Sequence, residues 1–330
     1  LAENAAPDAV LIAETGGLNA MIVDSTALTE QVVRDVLASS FQSAGQRCSA
    51  LRVLYVQEEA RARVIEMLTG AMDALEIGNP WDLATDVGPV IDGEAETSIN
   101  AYLDAHAGAV IKRLAVPDGG RFVSPALLAV DGIHAMEREV FGPVLHLASF
   151  NARDLDRVVD AINARGFGLT CGLHSRIDDR VEQVTSRLRV GNAYVNRNQI
   201  GAIVGSQPFG GEGLSGTGPK AGGSHYLPRL QHPLAPVAGN ETPEPGGPNI
   251  AAADVAKALA ASKPGDAPFG PDRLARLSAV LTGAPPAVSA VLASLDALSP
   301  GVVALPGPTG ESNRLSLHPR GRVLCLGLGA

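Results

Sequence analysis

An α/β fold follows from three features of this 330-residue chain. Short apolar runs of strand length alternate with longer segments of helical spacing, a rhythm that builds sheets covered by helices. The composition, 45% apolar and 18% charged, is that of ordinary globular material able to fill a core. The length accommodates two domains. A net charge of −9 argues against a broad nucleic-acid-binding surface, which needs clustered Lys and Arg. No apolar run reaches membrane-spanning length. Cys48, Cys171 and Cys325 lie far apart and no secretory signal is evident, so a reducing cytoplasm without a disulfide framework is expected. His106, His134, His146, His174, His225, His232 and His318 show no paired ligand spacing, and no metal site is expected. The first residue is Leu1 rather than Met, as in a cut or processed chain.

Taken in order, residues 8–14 and 19–24 predict short buried strands. The first ends in Glu14 followed by Thr15, Gly16 and Gly17. That would set a carboxylate at a strand's carboxyl end, where the sites of α/β proteins gather; a surface glutamate is the other reading. Val32, Val33, Val36, Leu37 and Phe41 have helical spacing over 29–42, and Gly45 can adopt the positive φ that ends such a helix. Cys48 then falls on a loop beside Gln46, Arg47 and Ser49, which are too polar for a plain core segment. Arg47 is a cation able to favour the thiolate, the reactive form. A buried thiol acting as a small hydrophobe is the alternative. Cys171 and Cys325, set in apolar runs, read as core cysteines.

A strand is expected at 52–57. Val64, Ile65, Leu68, Met72 and Leu75 mark a helix over 59–75, stopped by Gly78, Asn79 and Pro80. After a loop at 81–93 come a helix near 94–107 and strands near 109–115 and 122–130. Glu139-Val140-Phe141-Gly142-Pro143-Val144 reads on its own as a turn into a strand. Helices at 155–163 and 178–188 then alternate with strands at 168–174 and 191–197. The stretch 191–223 is glycine-rich and largely extended. Within it Gly211, Gly213 and Gly216 spell G-x-G-x-x-G, but no helix can follow across Pro219, Gly222 and Gly223, so no dinucleotide fingerprint is assigned. Residues 234–248, rich in Pro and Gly, predict a linker. Helices at 251–261 and 272–282 and a strand at 322–329 complete the pattern. The segment 305–311 lacks the lysine of a phosphate-binding loop.

Ala13-Glu14-Thr15-Gly16-Gly17-Leu18-Asn19 and Phe41-Gln42-Ser43-Ala44-Gly45-Gln46-Arg47-Cys48 together resemble the glutamate and cysteine signatures of the aldehyde dehydrogenase superfamily, in order as well as in wording. Glu-Thr-Gly-Gly and Arg-Cys-Ser-Ala are most similar to its L-glutamate γ-semialdehyde dehydrogenases. Glu139-Val140-Phe141-Gly142-Pro143 resembles the family's Glu-Ile-Phe-Gly-Pro motif. The resemblance implies that residues 1–16 end an NAD-binding Rossmann-type domain and that 17–233 form the catalytic domain with its C-terminal arm. It also implies that 249–330 begin a second α/β domain of degenerate dehydrogenase-like fold. A segment similar to 305–311 occurs there in the longer bifunctional members.

The implied roles follow the motifs. Cys48 would be the nucleophile, its own N–H helping to hold the oxyanion, and Glu14 the base that activates water. Glu139 would accept ribose hydroxyls of the nicotinamide half of NAD, with Phe141 packed beside it and Thr15 and Gly16 lining the cofactor. The N–H groups of Gly201 and Ala202, helped by the Ser49 hydroxyl, would anchor a substrate carboxylate, and Phe209 would pack on its aliphatic part. NAD is the implied cofactor, and FAD enters only if a proline dehydrogenase domain lies upstream. The implied partners are a small aldehyde and further copies of the full-length protein, with no membrane and no nucleic acid through this segment. Another NAD(P)-dependent aldehyde dehydrogenase and an inactive scaffold fragment are the competing readings. Most of the cofactor domain would precede Glu14, so the isolated chain is expected to be inactive.

Overall fold

Strands buried on both faces read as continuous apolar runs, and the central strands of this protein do so. The computed structural model describes residues 2–6, 9–231 and 302–318. Strands β1 (Asn19–Val23), β2 (Leu51–Gln57), β3 (Val110–Arg113), β4 (Ala126–Ala129), β5 (Val144–Phe150), β7 (Thr170–His174) and β8 (Asn192–Val195) form one sheet in the order β3-β4-β5-β2-β1-β7-β8. All neighbouring pairs are parallel except β3 with β4. Every residue of β1, β2 and β7 is buried. Between these strands run helices α1 (Thr29–Phe41), α2 (Glu58–Met72), α3 (Gly93–Ala105), α4 (Leu155–Ala164) and α5 (Asp178–Thr185). A short α6 (Tyr226–Leu230) follows β8.

The helices cover the sheet through the faces their periodicity defines. Val32, Val33 and Val36 of α1, Val64 and Leu68 of α2, and Val158, Val159 and Ile162 of α4 join Met21, Ile22, Leu54 and Leu147 in one core. Each such side chain contributes about 1.5–3 kcal/mol through removal from water. Asp92 caps α3 by accepting the Ala95 N–H at 2.9 Å. Expected and observed elements agree in type from residue 19 to 197. The helix expected at 59–75 stops at Met72, and the strand expected at 122–130 narrows to Ala126–Ala129. The run expected as one strand at 168–174 divides: β6 (Phe167–Gly168) leaves the main sheet and pairs antiparallel with β9 (Glu212–Gly213), whereas β7 stays in it.

Residues 9–14 depart from the strand expected at 8–14. Residues 9–13 lie in no strand, Leu11 is 42% exposed, and Glu14 makes a single antiparallel bridge to Gly216. The reason is the partner. The Ala13 carbonyl accepts Thr217 N–H and the Thr15 N–H bonds to Ser215, so the glycine-rich segment takes these groups rather than a neighbouring sheet strand.

The chain divides into two units, 1–230 and 231–330. In the second, β10 (Val302–Leu305) and β11 (Asn313–Ser316) form an antiparallel hairpin whose turn holds the Pro-Gly-Pro-Thr-Gly stretch. The expected linker at 234–248, the helices at 251–261 and 272–282, the strand at 322–329 and Cys325 lie outside the described residues.

Candidate active site

Parallel strands share a direction, so the loops that feed them converge at one edge. Gly17 and Leu18 lead into β1, Ser49 and Ala50 into β2, and Gly142 and Pro143 into β5. The candidate residues therefore gather at the amino ends of the strands. The expectation that Glu14 closes a strand at its carboxyl end is corrected accordingly: Glu14 stands in the loop entering β1.

Helix α1 ends at Phe41, and Ser43, Ala44 and Gly45 all take left-handed φ values of 55°, 51° and 66°. A Cβ at Gly45 would lie 2.2 Å from the Gly142 carbonyl oxygen, so only glycine lets the two loops touch here. A turn closed by Ala50 N–H to the Arg47 carbonyl (3.0 Å) leaves Cys48 exposed between half-buried Arg47 and buried Ser49. Asn19 holds this turn from β1: its Nδ2 donates to the carbonyls of Cys48 (2.6 Å) and Ala50 (2.9 Å), and its Oδ1 accepts Thr170 N–H at 3.2 Å. Asn19 was not assigned a role from sequence, although it closes the glutamate signature. The paired glycines of that signature also have a spatial cause. A Cβ at Gly16 would meet Glu139 Oε2 at 2.8 Å, and one at Gly17 would meet the Cys48 carbonyl at 3.0 Å.

Partial burial pushes the Cys48 thiol up, and the carboxylates of Glu14 and Glu139 push it further; the N–H groups of Ser49 and Cys48 oppose them. The expectation that Arg47 favours the thiolate is not met, because its guanidinium turns to the Ser43 hydroxyl at 3.1 Å. The cation within electrostatic reach of Cys48 is Arg52, whose charge is already committed to Glu139. Cys171, by contrast, is buried on β7 with its thiol pushed up to about 12, a core cysteine as expected.

Glu139 is held from two sides. Its Oε1 accepts Arg52 Nε (3.2 Å) and Nη2 (2.9 Å), and its Oε2 accepts Gly17 N–H (3.1 Å). A carboxylate has about four acceptor positions, so roughly one remains for a further donor, on Oε2. Phe141 lies beside it with its ring 45% exposed. Arg52 was missed from sequence. Its signal was a charged residue inside the apolar run Leu51-Arg52-Val53-Leu54, a position that requires a buried acid.

Glu14 leans onto the glycine-rich segment, its Oε2 accepting Gly211 N–H at 3.4 Å. Burial raises its carboxyl above the usual carboxylate range, with the Gly211 N–H opposing. A Cβ at Gly210 or Gly216 would come within 3.2 or 3.1 Å of Glu14 Oε1. Thr15 has its N–H on the Ser215 carbonyl and its hydroxyl on the Leu214 carbonyl, so neither group is turned outward. At the other end of this segment Gln199, completely buried, donates to the Ser49 carbonyl at 3.2 Å. The segment 199–211 thus runs from Ser49 to Glu14. Along it Gly201 has φ 74° and is exposed, and among the described residues the N–H groups of Gly201 and Ala202 have no hydrogen-bond partner. Phe209 is half-buried and pairs with Ala221. Gly211, Gly213 and Gly216 lead into no helix.

Two concave surfaces lie elsewhere. One of about 550 Å³ is lined by Ser25, Thr26, Arg63 and Arg176, and one of about 590 Å³ by Tyr102, His106, Asp131 and Ser149. Neither includes Cys48, and the chemistry of the loops outweighs their size.

The model of the aldehyde dehydrogenase family matches residues 1–232. The chain is 48% identical to the bifunctional protein PutA of Klebsiella aerogenes over 330 aligned positions, covering 96% of this chain and 24% of that protein. It is 38% identical to the 1-pyrroline-5-carboxylate dehydrogenase of Geobacillus kaustophilus over 222 positions, 66% of this chain and 43% of that one. Among solved structures, a mutant of Bradyrhizobium japonicum proline utilization A superposes with a TM-score of 0.67 at 53% identity, over 70% of this chain and 24% of the other. A Thermus 1-pyrroline-5-carboxylate dehydrogenase with bound NAD gives a TM-score of 0.62 at 32% identity, over 66% and 43%. The chain spans about a quarter of the length of the PutA relatives it matches.

Proposed function

The chain belongs to the aldehyde dehydrogenase family, and from that premise we propose that it carries the nucleophile, the base and the substrate loop of an NAD-dependent L-glutamate γ-semialdehyde dehydrogenase within a longer protein. The observation that carries this reading is the convergence of Cys48, Glu14 and Glu139 at the amino ends of β1, β2 and β5, close enough for both carboxylates to act on the thiol. NAD, when bound, supplies a two-electron acceptor for the aldehyde hydrogen. The single free acceptor position on Glu139 and the exposed Phe141 ring fit the ribose and the apolar face of its nicotinamide half.

Cys48 loses its proton to solvent as its sulfur adds to the aldehyde carbon, forming a thiohemiacetal anion. The N–H groups of Cys48 and Ser49 that favour the thiolate stand beside the developing oxyanion. Loss of hydride from that carbon leaves a thioester on Cys48. Glu14, its basicity raised by burial, takes a proton from water, whose oxygen attacks the thioester. The C–S bond breaks, the product leaves as its carboxylate with its proton passing to solvent, and the Cys48 sulfur takes back the proton held on Glu14. Gly201 and Ala202, with N–H donors unclaimed by the described residues, offer the substrate's α-carboxylate the partners it requires. The 1-pyrroline-5-carboxylate dehydrogenase and PutA relatives support this substrate over another aldehyde.

In the complete enzyme Cys48→Ala should lose at least roughly 1,000-fold in NADH production, since no covalent adduct can form. Unfilled donors at Ser49, Gly201 and Ala202 should penalise an aldehyde of equal length without the carboxylate by at least roughly 100-fold in kcat/KM. Equal kcat/KM for the two aldehydes would replace this substrate by a generic one.

A further inference from the structure

Arg52 is the largest fully buried side chain among the described residues, and all five of its N–H donors are used. Nε and Nη2 reach Glu139 Oε1, Nη1 reaches the carbonyls of Gly45 (2.8 Å) and Gly142 (3.2 Å), and Nη2 also reaches the Arg47 carbonyl (3.2 Å). Its Cζ stands 5.2 Å from the centre of the Phe141 ring, a cation–π contact. From behind, His146 Nδ1 bonds to the Arg52 carbonyl at 2.9 Å, and the Tyr102 hydroxyl meets His146 Nε2 at 2.9 Å. The carbonyl can only accept, so Nδ1 carries a proton, and in the neutral ring Nε2 accepts from Tyr102. Gly45 and Arg47 belong to the loop that presents Cys48; Glu139, Phe141 and Gly142 belong to the loop beside it.

The geometry points to Arg52 as a positioning residue that holds these two loops in one register, so that the attacking sulfur and the carboxylate facing the cofactor's ribose stay aligned. The inference rests on the dehydrogenase reading above. A buried ion pair is weak evidence for stability, because a well-packed apolar pair often serves as well. What an apolar pair lacks is a planar fork that binds carbonyls on both loops at once. Lysine, with three donors on a flexible stem, lacks it too.

The test uses the full-length protein and compares wild type with Arg52→Lys. KM for NAD should rise at least tenfold, and single-turnover hydride transfer at saturating NAD should slow at least tenfold. KM for the aldehyde should stay within twofold, since Arg52 holds neither Ser49 nor Gly201. A merely structural role would lower the melting temperature and the active fraction while leaving both KM values in place. That pattern, or wild-type kinetics, would overturn the inference. Should Arg52→Lys not fold, the paired exchange Arg52→Met with Glu139→Gln removes both charges together; hydride transfer as fast as in Glu139→Gln alone would overturn it equally. If wild type makes no NADH from glutamate semialdehyde, the substrate reading falls instead. Calorimetric titration of NAD into wild type and Arg52→Lys then decides on Arg52, with a tenfold weaker Kd expected and an equal Kd refuting it.

Discussion

A carboxyl group that must deprotonate water works best when its pKa approaches the working pH, and burial moves Glu14 in that direction. Glu14→Gln preserves the shape and can still accept the Gly211 N–H, but it removes the base. Acylation of Cys48 should continue while thioester hydrolysis slows by roughly 100-fold or more, the usual scale for a lost general base. Rapid mixing should then show a burst of about one NADH per site followed by a slow phase. An unchanged steady-state rate would remove Glu14 from the mechanism. Cys48 and Glu14 were readable in sequence as candidates because their types and neighbours suit the proposed chemistry. The electrostatics around Cys48 were not. Arg47 adjoins it in sequence, yet the turn closed onto the Arg47 carbonyl sends that side chain to Ser43, while Arg52, four residues on, faces back into the site. Adjacency along the chain says little about adjacency in space once a loop reverses.

At the scale of elements, the glycine at the end of α1 does more than end a helix. Gly45 combines a left-handed φ of 66° with a close approach to the backbone of Gly142, so neither strain nor clash can be relieved by turning a side chain. Gly45→Ala should destabilise by about 2–5 kcal/mol, summing left-handed strain and overpacking. Gly70 gives the opposite sign. It sits inside α2 with open space where an alanine methyl would stand, and Gly70→Ala should stabilise by about 0.5–1 kcal/mol. Urea titrations of the two variants would check both, and a Gly45→Ala midpoint at or above wild type would refute the clash. The helices and central strands were readable because periodicity reports burial. Residues 8–14 misled for the same reason: Val10, Leu11 and Ile12 form an apolar run, but a run specifies a strand only where a partner supplies the ladder. The role of Gln199, which ties the glycine-rich segment to Ser49, depends on a meeting of residues 150 positions apart that no local pattern encodes.

For the whole molecule, pH should set stability through two histidines buried in the neutral form. His146 and His174 are completely or almost completely buried, and burial lowers each to about 4. In the neutral ring Nδ1 donates to the Arg52 carbonyl and Nε2 accepts from Tyr102, so both nitrogens are satisfied without a second proton. A depressed folded pKa gives stability that is present above the unfolded value and is lost as the pH falls toward the folded one. The window is therefore about pH 6.5 to 4. Taking an unfolded pKa of about 6.5, each histidine withdraws roughly 2 kcal/mol by about pH 5 and about 3 kcal/mol below about pH 4. Asp35 acts the other way. Its carboxyl, raised by burial, is easier to keep neutral in the fold, so it gains stability as pH falls and offsets part of the loss. Its Oδ2 lies 3.7 Å from His174 Nε2, near enough for an ionised Asp35 to favour a protonated His174, which reduces that histidine's share of the loss. Asp24, held below the usual range by Ser175, Thr26 and Arg180, loses its contribution only at still lower pH. Glu14, also raised by burial, acts like Asp35, but the two large histidine shifts outweigh these smaller ones and leave a net fall between about pH 6.5 and 5. His146→Gln removes one titrating group, and its unfolding free energy should be lower than wild type at about pH 7.5 but should decline less steeply toward about pH 5. Urea denaturation of the full-length protein at half-unit pH steps measures both slopes. A variant whose slope equals that of wild type would show that His146 does not carry the pH dependence.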